Sequence, residues 1–446
     1  MKKKIVLFLC FMIFIAGAGC NNKKKTPDMQ TQAGEPANTE TGGEEEPAET
    51  GNETPPAVDT SVKRDPLEGG PYPSLLITQS RFLPAGDGSG KNTKPGPARL
   101  IILRKTGKGW EQVIVDDADS NVCHKAMQIE GAVLTAGAMG AFLKLWTFKD
   151  GKWADEVLWN PKFGGKIDRL RDFEIGKVMP GPGPQVAIAT HDQGVVAVAA
   201  RNGKEWSVTQ IDRQADTFVH EIELGDLDGD GLDEIYATPS QPNKVGVSQS
   251  GEVVRFRWDG KKFEKSPVKK WETRHVKEIL VTKLAGESRP TLFAVLEAEL
   301  EKIAGKSRIK TPVEIIKFSP DESGQLAGKT VASINDAQCR FLVAGDVDGN
   351  GKTELVAAAM KTGLWLIRPG DGETWKTESI DKDSSGYEHS MFLADMTGNG
   401  KPELYVAADD QHALNAYTWN GSGFDKSQII PLEGSIITWN ITQAKL

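Results

Sequence analysis

The chain contains few of the residues and motifs on which covalent cross-linking and catalysis usually depend. It has only four cysteines in 446 residues, too few for a disulfide framework. The HExxH motif of zinc proteases, the nucleophile elbow of hydrolases and the CxxC motif are all absent. No block of basic residues occurs after residue 70, and the net charge of the chain is −8. The sequence therefore does not predict binding to nucleic acid.

The N-terminus indicates a lipoprotein. Met1–Lys4 is basic, and the apolar run Ile5–Ile15 is too short to span a bilayer as a mature helix. It ends in Gly17-Ala18-Gly19-Cys20, which resembles a bacterial lipobox, although that pattern prefers leucine where Gly17 stands. We therefore expect a signal peptide at residues 1–19 and lipidation of Cys20. The alternative is an ordinary signal peptide followed by an unrelated cysteine.

The residue after the lipid site bears on localisation. An aspartate there is the usual signal for retention in the inner membrane, but this chain has Asn21. The resemblance therefore implies a lipid anchor in the outer membrane of a bacterial cell envelope, on its periplasmic or its surface face.

The composition of residues 20–70 indicates a linker. Residues 21–70 contain 11 acidic and 5 basic residues and almost no large apolar side chains, a composition typical of disorder. We expect a flexible acidic tether that spans roughly 40 Å on average and carries a folded domain at residues 71–446. That domain keeps two cysteines, Cys123 and Cys339. We expect two buried thiols, with a single bridge as the alternative.

The folded domain is organised around an acidic loop that occurs three times. In the first loop, oxygen ligands fall at alternate positions and a glutamate closes the loop at the ninth position. Glycines between them let the backbone curl so that the carboxylates converge, as Ca²⁺ with its six to eight oxygen ligands requires. Short alternating apolar runs on both sides indicate a hairpin. The ligand positions are Asp226, Asp228, Asp230 and Glu234 in the first loop, Asp346, Asp348, Asn350 and Glu354 in the second, and Asp395, Thr397, Asn399 and Glu403 in the third.

These loops resemble the FG-GAP/VCBS repeats of integrin-like and bacterial β-propellers. The resemblance implies an all-β propeller fold and says almost nothing about activity. The second and third loops begin 49 residues apart, and recurrence at an interval near fifty residues is itself typical of a repeat architecture.

A second recurring signal predicts the number of blades. Gly-containing turns, each followed by an aromatic or apolar residue, recur at steps of 44 to 64 residues, and Asn-Gly and Asp-Gly suit tight hairpins. We predict a seven-bladed propeller of four-stranded antiparallel blades. The first blade has only three strands of its own, and Ile436–Thr442 is predicted to supply its missing inner strand and to close the ring. The marker glycines are Gly107, Gly151, Gly203, Gly260, Gly324, Gly372 and Gly421.

We expect Ca²⁺ in the first and second loops. The third loop has only two carboxylates, so it is either a weak site or a turn held by side-chain hydrogen bonds. The equivalent stretches of the third and fifth blades, residues 176–185 and 283–291, lack the ligand set. The alternative for all three loops is that Asp, Asn and Gly serve only the turn. Such sites are structural and do not imply catalysis.

Basic residues recur near one position of the inner strands, about six residues before each loop. Inner strands line the channel of a propeller, so these side chains would form a ring around it. The ring could bind a transition metal such as Zn²⁺ or an anion such as a carboxylated sugar or phosphate. The third alternative is that each side chain bonds to the backbone of a neighbouring blade, and this is the one we favour. The candidate ring is His124, Arg171, His220, His275, Arg340 and His389.

The function predicted from the sequence is binding rather than catalysis: an envelope-anchored, calcium-stabilised scaffold for a protein or glycan partner. The alternative is an enzyme, similar to propeller lyases or dehydratases, that modifies a polysaccharide or sugar through the ring. That alternative rests on analogy between folds. A purely structural spacer remains a third hypothesis.

Overall fold

The computed structural model describes residues 70–85, 93–165, 168–191, 193–242, 248–320, 325–372 and 374–446. The predicted signal peptide (1–19), Cys20 and almost all of the predicted linker (20–70) lie outside these residues. The regular secondary structure of the described residues is β-strand, apart from one 3-10 turn at Asp409–Gln411.

Seven antiparallel sheets follow one another along the chain, and the first of them includes the C-terminus. Blade 1 contains β1 (Pro73–Pro84), the short β2 (Thr93–Pro95), β3 (Ala98–Thr106) and β4 (Gly109–Asp117). Blade 2 contains β5 (Val122–Ile129), β6 (Ala132–Ala138), β7 (Leu143–Lys149) and β8 (Lys152–Trp159). Blade 3 contains β9 (Leu170–Gly176), β10 (Gln185–Thr190), β11 (Val196–Asn202) and β12 (Glu205–Asp212). Blade 4 contains β13 (Phe218–Gly225), β14 (Glu234–Ser240), β15 (Gly251–Trp258) and β16 (Phe263–Trp271).

The remaining blades repeat this order. Blade 5 contains β17 (Val276–Thr282), β18 (Thr291–Leu296), β21 (Val313–Pro320) and β22 (Leu326–Ile334), with a separate hairpin, β19 (Glu299–Ile303) and β20 (Lys306–Thr311), inserted before β21. Blade 6 contains β23 (Cys339–Gly345), β24 (Glu354–Ala359), β25 (Gly363–Pro369) and β26 (Trp375–Asp381). Blade 7 contains β27 (Met391–Ala394), β28 (Glu403–Ala408), β29 (Ala413–Trp419) and β30 (Phe424–Pro431).

The last strand, β31 (Ser435–Lys445), pairs antiparallel with β1. The prediction that the C-terminus supplies the inner strand of blade 1 is therefore confirmed, as is the count of seven four-stranded blades; blade 1 has the short β2 in addition to its four strands β31, β1, β3 and β4. Pairing the two ends of the chain covers the edge that β1 would otherwise expose.

Strand position within a blade determines its burial pattern. Second strands such as β18 (Thr-Leu-Phe-Ala-Val-Leu) are buried at every residue, because both of their faces pack against neighbouring blades. They accordingly read as continuous apolar runs. Outer strands such as β12 alternate between partly buried and exposed residues, which is typical of a strand with one solvated face.

The core lies between blades. Seven clusters of buried apolar residues occur in the described chain, one for each pair of neighbouring blades. The cluster that joins blades 7 and 1 contains Tyr405 and Leu414 from blade 7, Leu75 and Ile101 from blade 1, and Ile441 from β31. Closure of the ring therefore rests on apolar packing as well as on strand pairing.

Both remaining cysteines are free and buried. Cys123 lies in β5 and Cys339 in β23, and burial raises the pKa of each thiol. The prediction of two buried thiols is confirmed, and the alternative of a single bridge is wrong.

Candidate metal loops and the central channel

The three acidic loops share one backbone fold, each joining the first and second strands of its blade. In each, the first-position aspartate accepts a hydrogen bond from the amide of the sixth residue: Gly231 to Asp226 (3.0 Å), Gly351 to Asp346 (2.9 Å) and Gly400 to Asp395 (2.7 Å). Each ninth-position glutamate accepts the amide of the second residue: Leu227 to Glu234 (2.8 Å), Val347 to Glu354 (3.1 Å) and Met396 to Glu403 (3.1 Å). The glycines at the fourth and sixth positions have φ values from 73° to 89°, a region that few other residues adopt.

The first loop brings carboxylates together. Asp226, Asp228 and Asp230 place oxygen atoms within 4.8 Å of one another. Glu234, the predicted fourth ligand, is not part of that group, but its Oε1 is buried and accepts no hydrogen bond. Burial, with a further contribution from the charge of Asp228, raises the pKa of Glu234 to about 7. A bound cation would relieve both the crowding of charge and the unpaired oxygen.

The second loop also brings carboxylates together, but its group includes the ninth-position glutamate in place of the fifth-position residue. Asp346, Asp348 and Glu354 bring their oxygens within 4.8 Å of one another, and Oδ1 of Asp346 is buried without a hydrogen bond. Burial, together with the charge of Asp348, raises the pKa of Glu354. Asn350 donates to Glu354 Oε1 at 3.2 Å.

The third loop is held by its own hydrogen bonds. Thr397 donates to Glu403 Oε1 (3.0 Å) and lies 3.3 Å from Asp395 Oδ1. The same Asp395 oxygen accepts the amides of Gly398 and Asn399. The third loop forms no group of converging acidic ligands. Among the described residues, only the first two loops form such groups. The geometry favours a hydrogen-bonded turn over a weak site.

An arginine on the third strand accompanies the first two loops. Arg257 Nε lies 2.6 Å from Asp228 Oδ2, and Arg368 makes the corresponding ion pair with Asp348. Strand pairing places these arginines at equivalent positions of β15 and β25, and the equivalent residue of β29 is Thr418. The arginine thus occurs where the third loop position is aspartate (Asp228, Asp348) and is absent where that position is Thr397.

The residues of the first two loops fit Ca²⁺. Oxygen ligands converge at alternate positions, and each loop has a buried oxygen without a partner, as a hard cation requires. The first loop is also joined to blade 3 through Asp233, which accepts the amide of Lys177 at 2.8 Å. The second is joined to blade 5 through Thr353, which accepts the amide of Ala285 at 2.9 Å. An ion in either loop would therefore also stabilise contact with the blade before it.

The basic ring coincides with a bulge in the inner strands. The pairing of β5 with β6 skips His124, that of β10 with β9 skips Arg171, and that of β23 with β24 skips Arg340. The equivalent bulges contain His220 in β13, Lys277 in β17 and Trp439 in β31. The predicted ring member His275 therefore lies two residues before the equivalent position, which Lys277 occupies. Lys277 is also the residue that stands six positions before the equivalent loop at Lys283, so the prediction of His275 departed from the repeat register by two residues.

Two ring histidines bond to the backbone of a neighbouring blade. His124 Nδ1 lies 2.6 Å from the carbonyl oxygen of Leu170 in blade 3. His389 Nδ1 lies 2.7 Å from that of Ala359 in blade 6, and its Nε2 lies 2.7 Å from Ser384 Oγ. Burial is the main cause that lowers the pKa of both, to about 4 for His389. These two side chains therefore bond to the backbone of a neighbouring blade, which is the alternative favoured from the sequence.

Two ring arginines share one carboxylate. Glu388, in the loop before β27, is 1% exposed. It pairs with Arg171 of blade 3 (3.3 Å) and with Arg340 of blade 6. Because the partners come from three blades, this cluster ties inner strands together across the channel. Sequence analysis missed Glu388, since it lies outside the repeated positions.

Deeper in the channel the side chains are mostly acidic. Lys125 pairs with Asp172 (2.9 Å) and with Glu174. Asp172 also accepts the amide of Ile222, and Glu278 accepts that of Leu342, both at 3.0 Å. Each of these bonds reaches an amide close to the bulge of the following blade, so the carboxylates help to satisfy backbone groups that the bulge leaves unpaired. Burial raises the pKa of each of Glu221, Glu223 and Glu278 well above the ordinary value of a glutamate.

The part of the chain that the structure describes contains no helix with the length and hydrophobicity needed to span a membrane.

Comparison with known proteins supports the fold. Residues 346–406, which include the second and third loops, match the profile of the FG-GAP-like repeat family. No curated protein matches the chain. Solved structures similar to it include a candidate 6-phosphogluconolactonase of Bacteroides uniformis (16% identity, TM-score 0.52, covering 83% of this chain and 99% of that one). Another is a candidate 6-phosphogluconolactonase of Bacteroides fragilis (13% identity, TM-score 0.51, covering 83% of this chain and 98% of that one). A third is a protein of Lactobacillus plantarum (10% identity, TM-score 0.51, covering 83% of this chain and 99% of that one).

At these identities the likeness shows the fold alone. Together with the strand order and the repeated loops, it identifies the chain as a seven-bladed β-propeller that carries an FG-GAP-like repeat.

Proposed function

We propose that this chain is a lipid-anchored propeller of the bacterial outer membrane, stabilised by Ca²⁺ in its first and second loops, that binds a protein or glycan partner. The observation that carries the proposal is the cluster of Arg171, Arg340 and Glu388. These arginines are engaged with a buried carboxylate, so they hold blades together and do not form an open catalytic set. Recognition would then fall to the loops and to the inserted hairpin β19–β20.

The hairpin offers a specific surface for a partner. Ile303 and Ile309 are 43% and 37% exposed, which is unusual for isoleucine, and both lie on this hairpin. Exposed apolar side chains on a projecting element favour a protein or glycan contact.

The binding role can be tested by cross-linking in intact envelopes that express the full chain. We expect a discrete adduct that is lost when Ile303 and Ile309 are both replaced by Glu. Ile114→Glu, at a site 45% exposed on β4, is the matched control and should keep the adduct. An adduct that survives in the hairpin variant would place recognition elsewhere, and the absence of any adduct would contradict the binding role.

The anchor can be tested separately. Cys20→Ser should release the chain from the membrane fraction, whereas Cys10→Ser, within the predicted signal peptide, should not. If both variants stay in the membrane fraction, lipidation at Cys20 is not what anchors the chain.

A second candidate function is the modification of a polysaccharide or sugar, and Lys277 favours it. Burial lowers the pKa of this lysine to about 8, and a lysine that can lose its proton near neutral pH can act as a general base. Turnover of an acidic polysaccharide that disappears in Lys277→Met, with folding retained, would support this candidate over a purely binding role.

A further inference from the structure

Three histidines of blades 3, 4 and 5 form a row at the end of the channel where the inner strands begin. His191 follows β10, His220 lies in β13, and His275 immediately precedes β17. The ring centroids of His191 and His220 are 4.6 Å apart, and those of His220 and His275 are 6.3 Å apart. All three side chains are more than nine-tenths buried, with exposures of 8%, 3% and 5%. We call them the histidine row.

The histidine row has hydrogen-bonding capacity that the fold does not use. Both ring nitrogens of His191, and Nε2 of His220 and of His275, are buried and have no hydrogen-bond partner. This contrasts with His124 and His389, whose Nδ1 atoms bond to backbone carbonyls. Buried polar atoms are almost always paired, so four unpaired nitrogens in three adjacent residues point to a ligand.

The row lies in a positive environment. Arg171, Lys277 and Arg340 all contribute to lowering the pKa of His220, after burial as the main cause. Two carboxylates, the partly buried Glu297 and the buried Glu388, face these three cations. Lys277 lies 3.1 Å from Glu297, which also lies 3.7 Å from His275 Nδ1, and both arginines pair with Glu388. One positive charge is therefore left over.

A further cation lies beyond these five groups. Arg169 stacks 5.5 Å from the ring of Phe218, which contacts His191.

This charge balance selects the class of ligand. A transition metal would meet repulsion from the surrounding cations, and no three imidazole nitrogens among the described residues come within 4.8 Å of one another. An oxyanion meets an attractive field, imidazole N–H groups that can donate to it, and neighbouring cations that strengthen the bonds. The carboxylates deeper in the channel, at Glu221 and Glu278, would repel an anion and stop it at the row.

We propose that the histidine row binds a small oxyanion, the carboxylate or phosphate group of a ligand that enters the channel. The inference deepens the proposed binding function, because it gives the partner a negatively charged group. Its recognition elements are His191, His220 and His275 as donors, with Lys277 and Arg171 supplying charge.

The test is calorimetric titration of the full chain with inorganic phosphate and, in parallel, with glucuronate. We expect saturable binding of at least one, weakened at least about tenfold in His191→Leu/His220→Leu, because each lost hydrogen bond to an anion carries a substantial part of the affinity. His412→Asn is the matched control: His412 is exposed with φ 56°, a conformation that asparagine tolerates, so binding should not change. Absence of saturable binding of both anions would overturn the proposal.

A measurement on the unaltered chain covers the case in which the double variant does not fold. Exchange of the imidazole C2 hydrogen, followed by mass spectrometry, reports on each histidine separately. The bound anion should slow exchange at His191, His220 and His275 and leave His412 unchanged. Slowing by Zn²⁺ but by neither anion would show a metal site and reject the oxyanion.

The two proposals can fail separately. An envelope adduct that persists in His191→Leu/His220→Leu, with no anion binding to the unaltered chain, would leave the binding function standing and remove only the oxyanion site.

Discussion

At the scale of single residues, Glu388 combines deep burial with two cationic partners from distant blades. Replacing it with glutamine keeps the shape but leaves the guanidinium groups of Arg171 and Arg340 without their shared carboxylate. Breaking a buried ion pair by removing one partner typically costs about 3–5 kcal/mol. We expect the Glu388→Gln chain to unfold at a markedly lower temperature, whereas Glu433→Gln, at an exposed position, should match the unaltered chain. Equal unfolding temperatures would mean that the cluster contributes nothing to stability.

Asp409 couples the closure of the ring to pH. It accepts hydrogen bonds from the amide (2.6 Å) and the hydroxyl (2.7 Å) of Thr438 in β31, yet burial raises its pKa to about 7. An acid with a raised folded-state pKa adds stability below its unfolded pKa, near 3.8, and this contribution is lost as pH rises through 7.

The corresponding variant is Asp409→Asn, which keeps a neutral side chain at every pH. Its free energy of unfolding relative to the unaltered chain should therefore increase between pH 4.5 and pH 8, by up to about 1.4 kcal/mol for each unit of pKa shift, and the difference in unfolding temperature should grow in the same direction. Asp150→Asn, at an exposed turn, should show no such trend. A difference that is independent of pH would contradict the raised pKa.

At the scale of elements, the three loops are predicted to differ in metal binding although their backbones match. We expect two Ca²⁺ ions per chain by calorimetric titration. Asp226→Asn and Asp346→Asn should each remove one, because each takes a carboxylate from a converging group. Asp395→Asn should leave the number at two, since the third loop forms no converging group of acidic ligands among the described residues. A stoichiometry of three would show that Thr397 does not weaken the third loop.

The arginines on the third strands are predicted to oppose Ca²⁺ binding. Arg257 pairs with both Asp228 (2.6 Å) and Asp230 (3.0 Å) of the first loop and therefore competes with the ion for the same oxygens. Arg257→Gln should tighten Ca²⁺ binding at the first loop by about three- to tenfold, as expected for a partly exposed charge. Arg201→Gln, in an ion pair of blades 2 and 3 remote from the loop, should have no effect. Weaker binding in Arg257→Gln would mean that the arginine orients the aspartates for the ion.

At the scale of the whole molecule, closure of the ring depends on the face of β31 that packs between blades. Ile441 belongs to the cluster between blades 7 and 1, and its truncation to alanine leaves a cavity there. Such a change costs about 2–5 kcal/mol and should lower the unfolding temperature of all seven blades together. Gln443→Ala, two residues further on the same strand but exposed, should change it little. If only a small fraction of the chain unfolds early, the ring does not unfold cooperatively.

Much of this architecture could be predicted, for reasons that particular residues illustrate. The loops at Asp226 and Asp346 and the turn at Gly151 depend on local spacing and backbone conformation, which neighbouring residues largely determine. The inserted hairpin at Glu299–Thr311 follows no repeat, so no recurring pattern in the sequence indicates its two strands. His275 was predicted in the ring in place of Lys277, although the repeat spacing places Lys277 there, six residues before Lys283; the prediction followed residue type and not register.

The sequence by itself determined the seven blades, the closing C-terminal strand and the position of each acidic loop. These follow from short-range patterns that recur along the chain. The tertiary structure alone decided which ring residues are engaged. Glu388 meets Arg171 although 217 residues separate them, and His191, His220 and His275 meet although each belongs to a different blade. Contacts between residues of different blades arise only when the blades pack around the channel, and no local pattern encodes them.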